Sequence, residues 1–155
     1  MELVIESNGL NDTSKLGQIL GEEAFKGALY SLDGDLGAGK TTLTKSIALA
    51  LNIKDNVSSP TFNILKCYFD GRLPLYHIDA YRLEDGTNAS IGLEEVIEGD
   101  GLCIVEWGKF IQEMIFEPLE IKITLLDDNK RKFIIKNEYK KYDHLMNRLK
   151  EEFKC

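Results

Sequence analysis

The chain has 155 residues, of which 43% are hydrophobic and 29% charged, with a formal net charge of −7. That length supports one ordinary core, so a single domain over residues 1–155 is expected, and the acidic balance argues against autonomous nucleic-acid binding, which needs a basic patch to neutralise phosphates. No apolar run approaches the ~20 residues of a membrane span, and the opening Met1-Glu2-Leu3-Val4-Ile5-Glu6 is too short and acidic for a targeting peptide, which predicts a cytoplasmic protein that does not engage membranes.

A first strand is predicted over Leu3 to Glu6. Asp12-Thr13 then reads as the N-cap of a helix whose Leu16, Ile19, Leu20 and Phe25 share a face, with Gly27 as its stop. The mostly apolar run Ala28-Leu29-Tyr30-Ser31-Leu32 predicts a strand that ends at Asp33-Gly34. There the most informative segment begins: Gly34 to Thr41 match the phosphate-loop pattern G-x-x-x-x-G-K-[ST] at every fixed position. Glycines allow the tight turn that aims successive backbone N–H groups at phosphate oxygens, Lys40 adds a compact positive charge, and Thr41 offers a hydroxyl to magnesium. Thr42 to Leu51, with Leu43, Ile47, Ala50 and Leu51 at helical spacing, predicts the helix whose N-terminal dipole completes the anion site. Asp35, Leu36, Gly37, Ala38, Gly39, Lys40, Thr41 and Thr42 are therefore the expected phosphate-binding residues.

Ser59-Pro60 forces an extended entry into Phe62 to Phe69, Asp70-Gly71 marks a turn, and Leu73 to Ile78 runs back as the second arm of a hairpin. A polar loop over Glu84 to Ser90 leads to a short helix over Ile91 to Ile97, and Gly99-Asp100-Gly101 breaks the chain. Leu102 to Val105 is apolar throughout, as in a strand buried on both faces. A short helical segment near Lys109 to Phe116 precedes a second hairpin, with arms Leu119 to Leu126 and Lys132 to Lys136 around Asp127-Asp128-Asn129. A final helix carries Tyr139, Tyr142, Leu145, Met146, Leu149 and Phe153 as one stripe that packs on the domain. The basic residues of Lys130 to Lys154 are diluted by Glu138, Asp143, Glu151 and Glu152 and read as a solvated face. The expected fold is α/β: a single P-loop NTPase domain with a largely parallel core sheet extended by antiparallel hairpins. Cys67 and Cys103 lie in apolar runs and read as small buried hydrophobes, Cys155 is a tail residue, and the spacing of the three fits neither a disulfide framework nor a zinc site.

A nucleotide hydrolase needs an acid at the end of a buried strand, close to magnesium and the attacking water. Glu106, after Leu102-Cys103-Ile104-Val105, and Asp79, after Leu75-Tyr76-His77-Ile78, both qualify, and either could bind the ion or orient the nucleophile. Alternation lets His77 share a face with Asp79, but a lone strand histidine is most simply structural and is not assigned as a base. Trp107, the only tryptophan, is read evenly as a core anchor or as a site or partner contact, and Arg82 as a surface ion pair near the site.

Gly34 to Thr42, Ser59-Pro60-Thr61-Phe62, Tyr76-His77-Ile78-Asp79-Ala80-Tyr81-Arg82-Leu83 and Ile104-Val105-Glu106-Trp107, in this order and spacing, resemble the TsaE (YjeE) family. The resemblance implies a bacterial ATPase, using ATP and magnesium, that supports threonylcarbamoyladenosine modification of transfer-RNA adenosine 37 together with two partner subunits, TsaB and TsaD. Carried over motif by motif, it implies that Lys40 holds phosphates, that Thr41 and Glu106 ligate magnesium, that Asp79 orders water or metal, and that Thr61 lies in a nucleotide-sensing segment. Lys40, Asp79 and Glu106 are then the expected catalytic residues. A GTP switch is disfavoured because Asn129-Lys130-Arg131-Lys132 lacks the acid of the guanine signature. A small-molecule kinase with the same loop and metal is the alternative, although four arginines at 72, 82, 131 and 148 leave little for a phosphate lid. A nucleotide-gated adaptor without catalysis uses the same loop and is the third reading.

Overall fold

A computed structural model of the chain describes residues 1–35, 37–58, 60, 64–84 and 92–154. Its elements run β1 (Glu2–Ser7), α1 (Leu10–Glu22), β2 (Leu29–Gly34), α2 (Lys40–Ala50), β3 (Leu65–Tyr68), β4 (Leu75–Asp79), α3 (Leu93–Ile97), β5 (Leu102–Glu106), β6 (Leu119–Leu125), β7 (Arg131–Lys136) and α4 (Asp143–Phe153). β1 alternates strictly, with Leu3, Ile5 and Ser7 buried, which is the period of a strand with one covered face. β5 is buried at all five positions, as a central strand between two layers must be.

The strands form one sheet in the order β1-β7-β6-β2-β5-β4-β3. Its centre, β6, β2, β5 and β4, is parallel. The pairs β3–β4, β6–β7 and β7–β1 are antiparallel, so the expected hairpins do extend a parallel core. β1 lies at the far edge beside β7, where the Met1 amine donates to the Asn137 carbonyl at 2.7 Å. One face of the sheet, with Tyr30, Leu32, Ile104 and Ile121, joins a core with α1, α2 and α4. The other, with Ile78, Cys103 and Val105, packs on Leu93 and Ile97 of α3 and on Ile111. Tyr142, just ahead of α4, fixes the start of β2: its hydroxyl accepts from Leu29 N–H at 2.9 Å and donates to Leu29 C=O at 3.1 Å.

Several boundaries differ from the sequence reading. Asp12 and Thr13 lie inside α1 rather than at its cap, because their side chains reach back to the end of β1: Asp12 Oδ2 accepts from Asn8 N–H at 3.0 Å and Thr13 Oγ1 meets Ser7 Oγ at 3.0 Å. Gly27 is not the helix stop. It sits beyond the end of α1 at φ +87°, where its N–H donates to Gly101 C=O at 3.0 Å and turns the chain into β2. Cys67 is exposed, not buried, because β3 is an edge strand, whereas Cys103 is buried and its thiol is pushed up to about 12 by that burial. The segment near Lys109 is a 3-10 turn over Gly108–Met114, kinked at Ile111. Tyr139 precedes α4 and only its later stripe residues are helical. Of the predicted polar loop over Glu84 to Ser90 and the helix over Ile91 to Ile97, residues 85–91 lie outside the described residues, as do residues 61–63 at the start of the first hairpin, and Cys155.

α1 and α2 approach closely because glycines leave room for backbone. A Cβ on Gly21 would stand 2.6 Å from the Ile47 carbonyl oxygen and 2.5 Å from Ala50 Cβ, and one on Gly17 would stand 2.3 Å from Ser46 Cβ. Backbone cannot yield as a flexible side chain does. Gly21→Ala is therefore expected to destabilise the protein by about 1–3 kcal/mol through overpacking, in spite of alanine's advantage of roughly 1 kcal/mol in a helix, read as a lower urea midpoint.

Candidate functional site

The loop from Asp35 to Gly39 joins β2 to α2, and its shape follows from its glycines. Gly37 and Gly39 sit at φ +82° and +109°, conformations that strain any residue with a Cβ. Ala38 N–H closes the turn on Asp35 C=O at 3.0 Å. Gly34 is needed for a different reason: a Cβ there would lie 2.9 Å from the Ile123 carbonyl oxygen of β6. Gly39 caps α2 without any side-chain bond, so the unpaired N–H groups of the first turn and the positive end of the helix dipole face the loop. Leu36, one of the expected phosphate-binding residues, lies outside the described residues.

Parallel strands bring their C-terminal ends to one side of a sheet, and here those ends carry the charge. Leu32 of β2 pairs in register with Glu106 of β5, and Glu106 with Asp79 of β4. Lys40, the first residue of α2, donates from Nζ to the Gly34 carbonyl at 2.7 Å and lies 3.7 Å from Glu106 Oε1. The same ammonium sits 4.9 Å from the Trp107 ring centre. Lys40, Glu106 and Asp79 are all buried, at 9%, 4% and 7% exposure. Burial pushes the Asp79 carboxyl above its ordinary range; the N–H of Tyr81, donating to Oδ1 at 3.1 Å, opposes the shift, and the Glu106 carboxylate adds to it.

Magnesium takes oxygen ligands in octahedral geometry and is held by one or two protein groups together with phosphate oxygens and water. The donors here are of that kind: the Thr41 hydroxyl at the start of α2, the Glu106 carboxylate and the Asp79 carboxylate. Among the described residues no three His, Cys, Asp or Glu side chains converge to hold an ion by themselves, so oxygens from a bound ligand would have to complete the shell. Glu106 keeps free lone pairs for this, since a carboxylate offers about four acceptor positions.

The structure unites Lys40 and Glu106 directly, with Asp79 beside Glu106 in register, and it adds two residues that the sequence reading left aside. His77 is fully buried and its Nε2 stands 2.6 Å from Glu106 Oε2. Arg131, at the start of β7, donates from Nε to the Ala38 carbonyl at 3.0 Å and from Nη1 to the Asp127 and Asp128 carbonyls, tying the second hairpin to the phosphate loop. Alternation had put His77 on the face of Asp79; no local signal marked Arg131. Trp107 is a wall of the site, stacked on Phe110 at 5.9 Å and edge-on to Tyr81 at 5.0 Å, with its backbone at φ +59°. Arg82 is exposed in the 3-10 turn Tyr81–Leu83. Thr61 and its neighbours Ser59 and Phe62 lie outside the described residues. Ile64, which follows that segment, sits at φ +62° and accepts the Asp79 N–H on its carbonyl at 2.7 Å. A pocket lined by Ser7, Leu10, Thr13, Gly39, Asn129 and Arg131 opens beside the loop, on the side of the second hairpin.

The raised Asp79 carboxyl carries a consequence for stability. The folded chain holds this proton more tightly than the unfolded chain, so ionisation of Asp79 opposes folding once pH rises above its ordinary value of 3.8. Asp79→Asn is therefore expected to melt a few degrees higher than the parent at pH 7, with the difference vanishing near pH 3.5, as measured by thermal unfolding across that range.

The sequence profile described as Threonylcarbamoyl adenosine biosynthesis protein TsaE matches residues 7–140. The chain is 42% identical over 139 residues to the tRNA threonylcarbamoyladenosine biosynthesis protein TsaE of Bacillus subtilis, covering 89% of this chain and 87% of that protein. It is 37% identical over 131 residues to the protein of the same description from Treponema pallidum, covering 83% and 96%. A crystal structure of Bacillus subtilis YdiB superposes with a TM-score of 0.84 at 35% identity, over 98% of this chain and 96% of that one. With most of its length matched in both sequence and fold, the chain belongs to the TsaE family.

Proposed function

We propose that this chain is a magnesium-dependent ATPase, built as one domain, that supports threonylcarbamoyladenosine modification of transfer RNA together with TsaB and TsaD subunits. The observation that carries the proposal is the meeting of Lys40 and Glu106, at 3.7 Å, where the phosphate loop, the start of α2 and the ends of three parallel strands converge. The relatives' descriptions support the pathway. The partners are proposed from the family resemblance.

In this reading the N–H groups of Gly37 and of Gly39 to Thr41 cradle the phosphates of ATP, and Lys40 turns its ammonium from the Gly34 carbonyl toward the outer phosphate oxygens. Thr41 and Glu106 would hold magnesium, which would supply positive charge to neutralise the phosphates. Asp79, buried and held by the Tyr81 N–H, orients the attacking water. The pocket between α1 and the second hairpin receives the base, with Leu10 as an apolar wall and Ser7, Thr13 and Asn129 as polar edges. Few cations face the transferring phosphoryl, and an arginine finger contributes roughly 10³ to 10⁵ in rate where one is present. Turnover by the isolated chain is therefore slow, and partner docking accelerates it.

Steady-state phosphate release without any acceptor tests the reading. Lys40→Ala is expected to lose activity by roughly 10²-fold or more, the scale for removing a preorganised charge from a developing anion. Glu106→Gln should keep ATP binding within a few-fold while hydrolysis falls by a similar factor. Unaltered turnover in Lys40→Ala would refute the site, and phosphate release that requires a small-molecule acceptor would make the chain a kinase. Adding TsaB and TsaD together should raise hydrolysis at least several-fold, and transfer RNA alone should leave it unchanged, because a net charge of −7 offers it no grip. Full-speed hydrolysis by the isolated chain would overturn the dependence on partners.

A further inference from the structure

His77 has no part in the reaction as described above, yet it is fully buried against one of the residues that do. Its exposure is zero, its Nε2 is 2.6 Å from Glu106 Oε2, and among the described residues its Nδ1 has no hydrogen-bond partner. A buried polar atom without a partner is costly and calls for a compensating role. The register explains how the two side chains meet. His77 stands directly opposite Ile104 and Glu106 lies two residues further along β5, so the imidazole reaches its partner along the diagonal of the sheet face. An ionised carboxylate only accepts, so the proton in this bond belongs to His77 Nε2.

We infer that His77 is a positioning residue: by holding Oε2 of Glu106 it fixes the carboxylate so that Oε1 faces Lys40 and the phosphate side of the site. The two oxygens of Glu106 have different neighbours, His77 on one and the Lys40 ammonium on the other, and a side chain held at both ends has one orientation. Without the imidazole, Glu106 is free to swing out of this orientation, which would withdraw its carboxylate from the metal while leaving Lys40 to the phosphates. The predicted defect is therefore in magnesium use and turnover, not in nucleotide affinity as such. The inference rests on the proposed role of Glu106.

The test separates reach from packing. His77→Gln places an amide N–H about where Nε2 lies, whereas His77→Asn is polar but too short to reach Glu106. His77→Asn is expected to raise the magnesium concentration for half-maximal hydrolysis by about five- to tenfold and to lower turnover by about tenfold, with affinity for ATP in the absence of magnesium changed less than twofold. His77→Gln should recover most of both. In the Glu106→Gln background, His77→Asn should cost little more, because the group it positions has lost its charge. Equal defects in His77→Asn and His77→Gln with normal thermal unfolding, or a His77→Asn defect that multiplies fully with Glu106→Gln, would overturn the positioning role while leaving Glu106 in the site. Unimpaired hydrolysis in Glu106→Gln alone would instead overturn the assignment of Glu106. Should His77→Asn fail to fold, full magnesium sensitivity in a folded His77→Gln would suffice to reject the inference.

Discussion

The pair formed by Lys40 and Glu106 is the interaction on which the other features of the site depend. A carboxylate and an ammonium that are both buried cost several kcal/mol each to remove from water, and the cost is offset only when each finds the other and its remaining polar atoms are bonded. Here Lys40 has the Gly34 carbonyl and Glu106 has His77. Deleting one member leaves a charge stranded in the sheet, which is why each group needs the full set in place. Burial in the same place, with the Glu106 carboxylate alongside, holds Asp79 above its ordinary carboxyl range.

Holding these groups in place is the work of elements that carry no chemistry. β2, β5 and β4 end level because their ladders are in register, from Leu32 through Glu106 to Asp79. Tyr142 pins the start of β2 from the opposite end of the sheet, and Arg131 holds the Ala38 carbonyl from the second hairpin. Glycines set the closest approaches: Gly34 lets the end of β2 lie against β6, and Gly17 and Gly21 bring α1 onto α2. Side chains placed by strands and a helix are held more tightly than side chains on loops, and charge placed before the reaction needs no reorganisation during it.

Backbone strain marks the boundary of this frame. Trp107, immediately after Glu106, and Ile64, whose carbonyl holds the Asp79 N–H, both adopt positive φ without being glycine. For a β-branched residue such as Ile64 this is a true outlier, and such conformations persist where the surroundings over-determine them, which is commonly at sites of function. The two strained residues adjoin the two acids. The aromatic group of Tyr81, Trp107 and Phe110 covers the same edge, with the Lys109 ammonium 5.0 Å from the Trp107 ring centre and 5.3 Å from that of Phe110, in keeping with cation–π spacing.

What the sequence by itself determined is what depends on neighbours along the chain. Gly34 to Thr41 specify a turn, a cation and a helix start within eight residues, and an acid after four apolar residues marks the end of a buried strand wherever that strand goes. Both hairpins were legible for the same reason, because apolar runs and turn residues set the pairing of strands adjacent in sequence, while the parallel core was legible only through the phosphate-loop motif that implies it. The tertiary structure alone decided what joins distant segments. His77 reads as an ordinary strand histidine until β5 places Glu106 on its diagonal, and Arg131 reads as a scattered surface charge until the second hairpin folds against the loop 93 residues earlier. Cys67 reads as buried until β3 proves to be an edge strand, and β1 takes the far edge of the sheet because β7, the last strand, offers it a partner. Periodicity reports which side of a strand is covered; it carries no information about which strand lies alongside, and that neighbour sets the partner of every buried polar group.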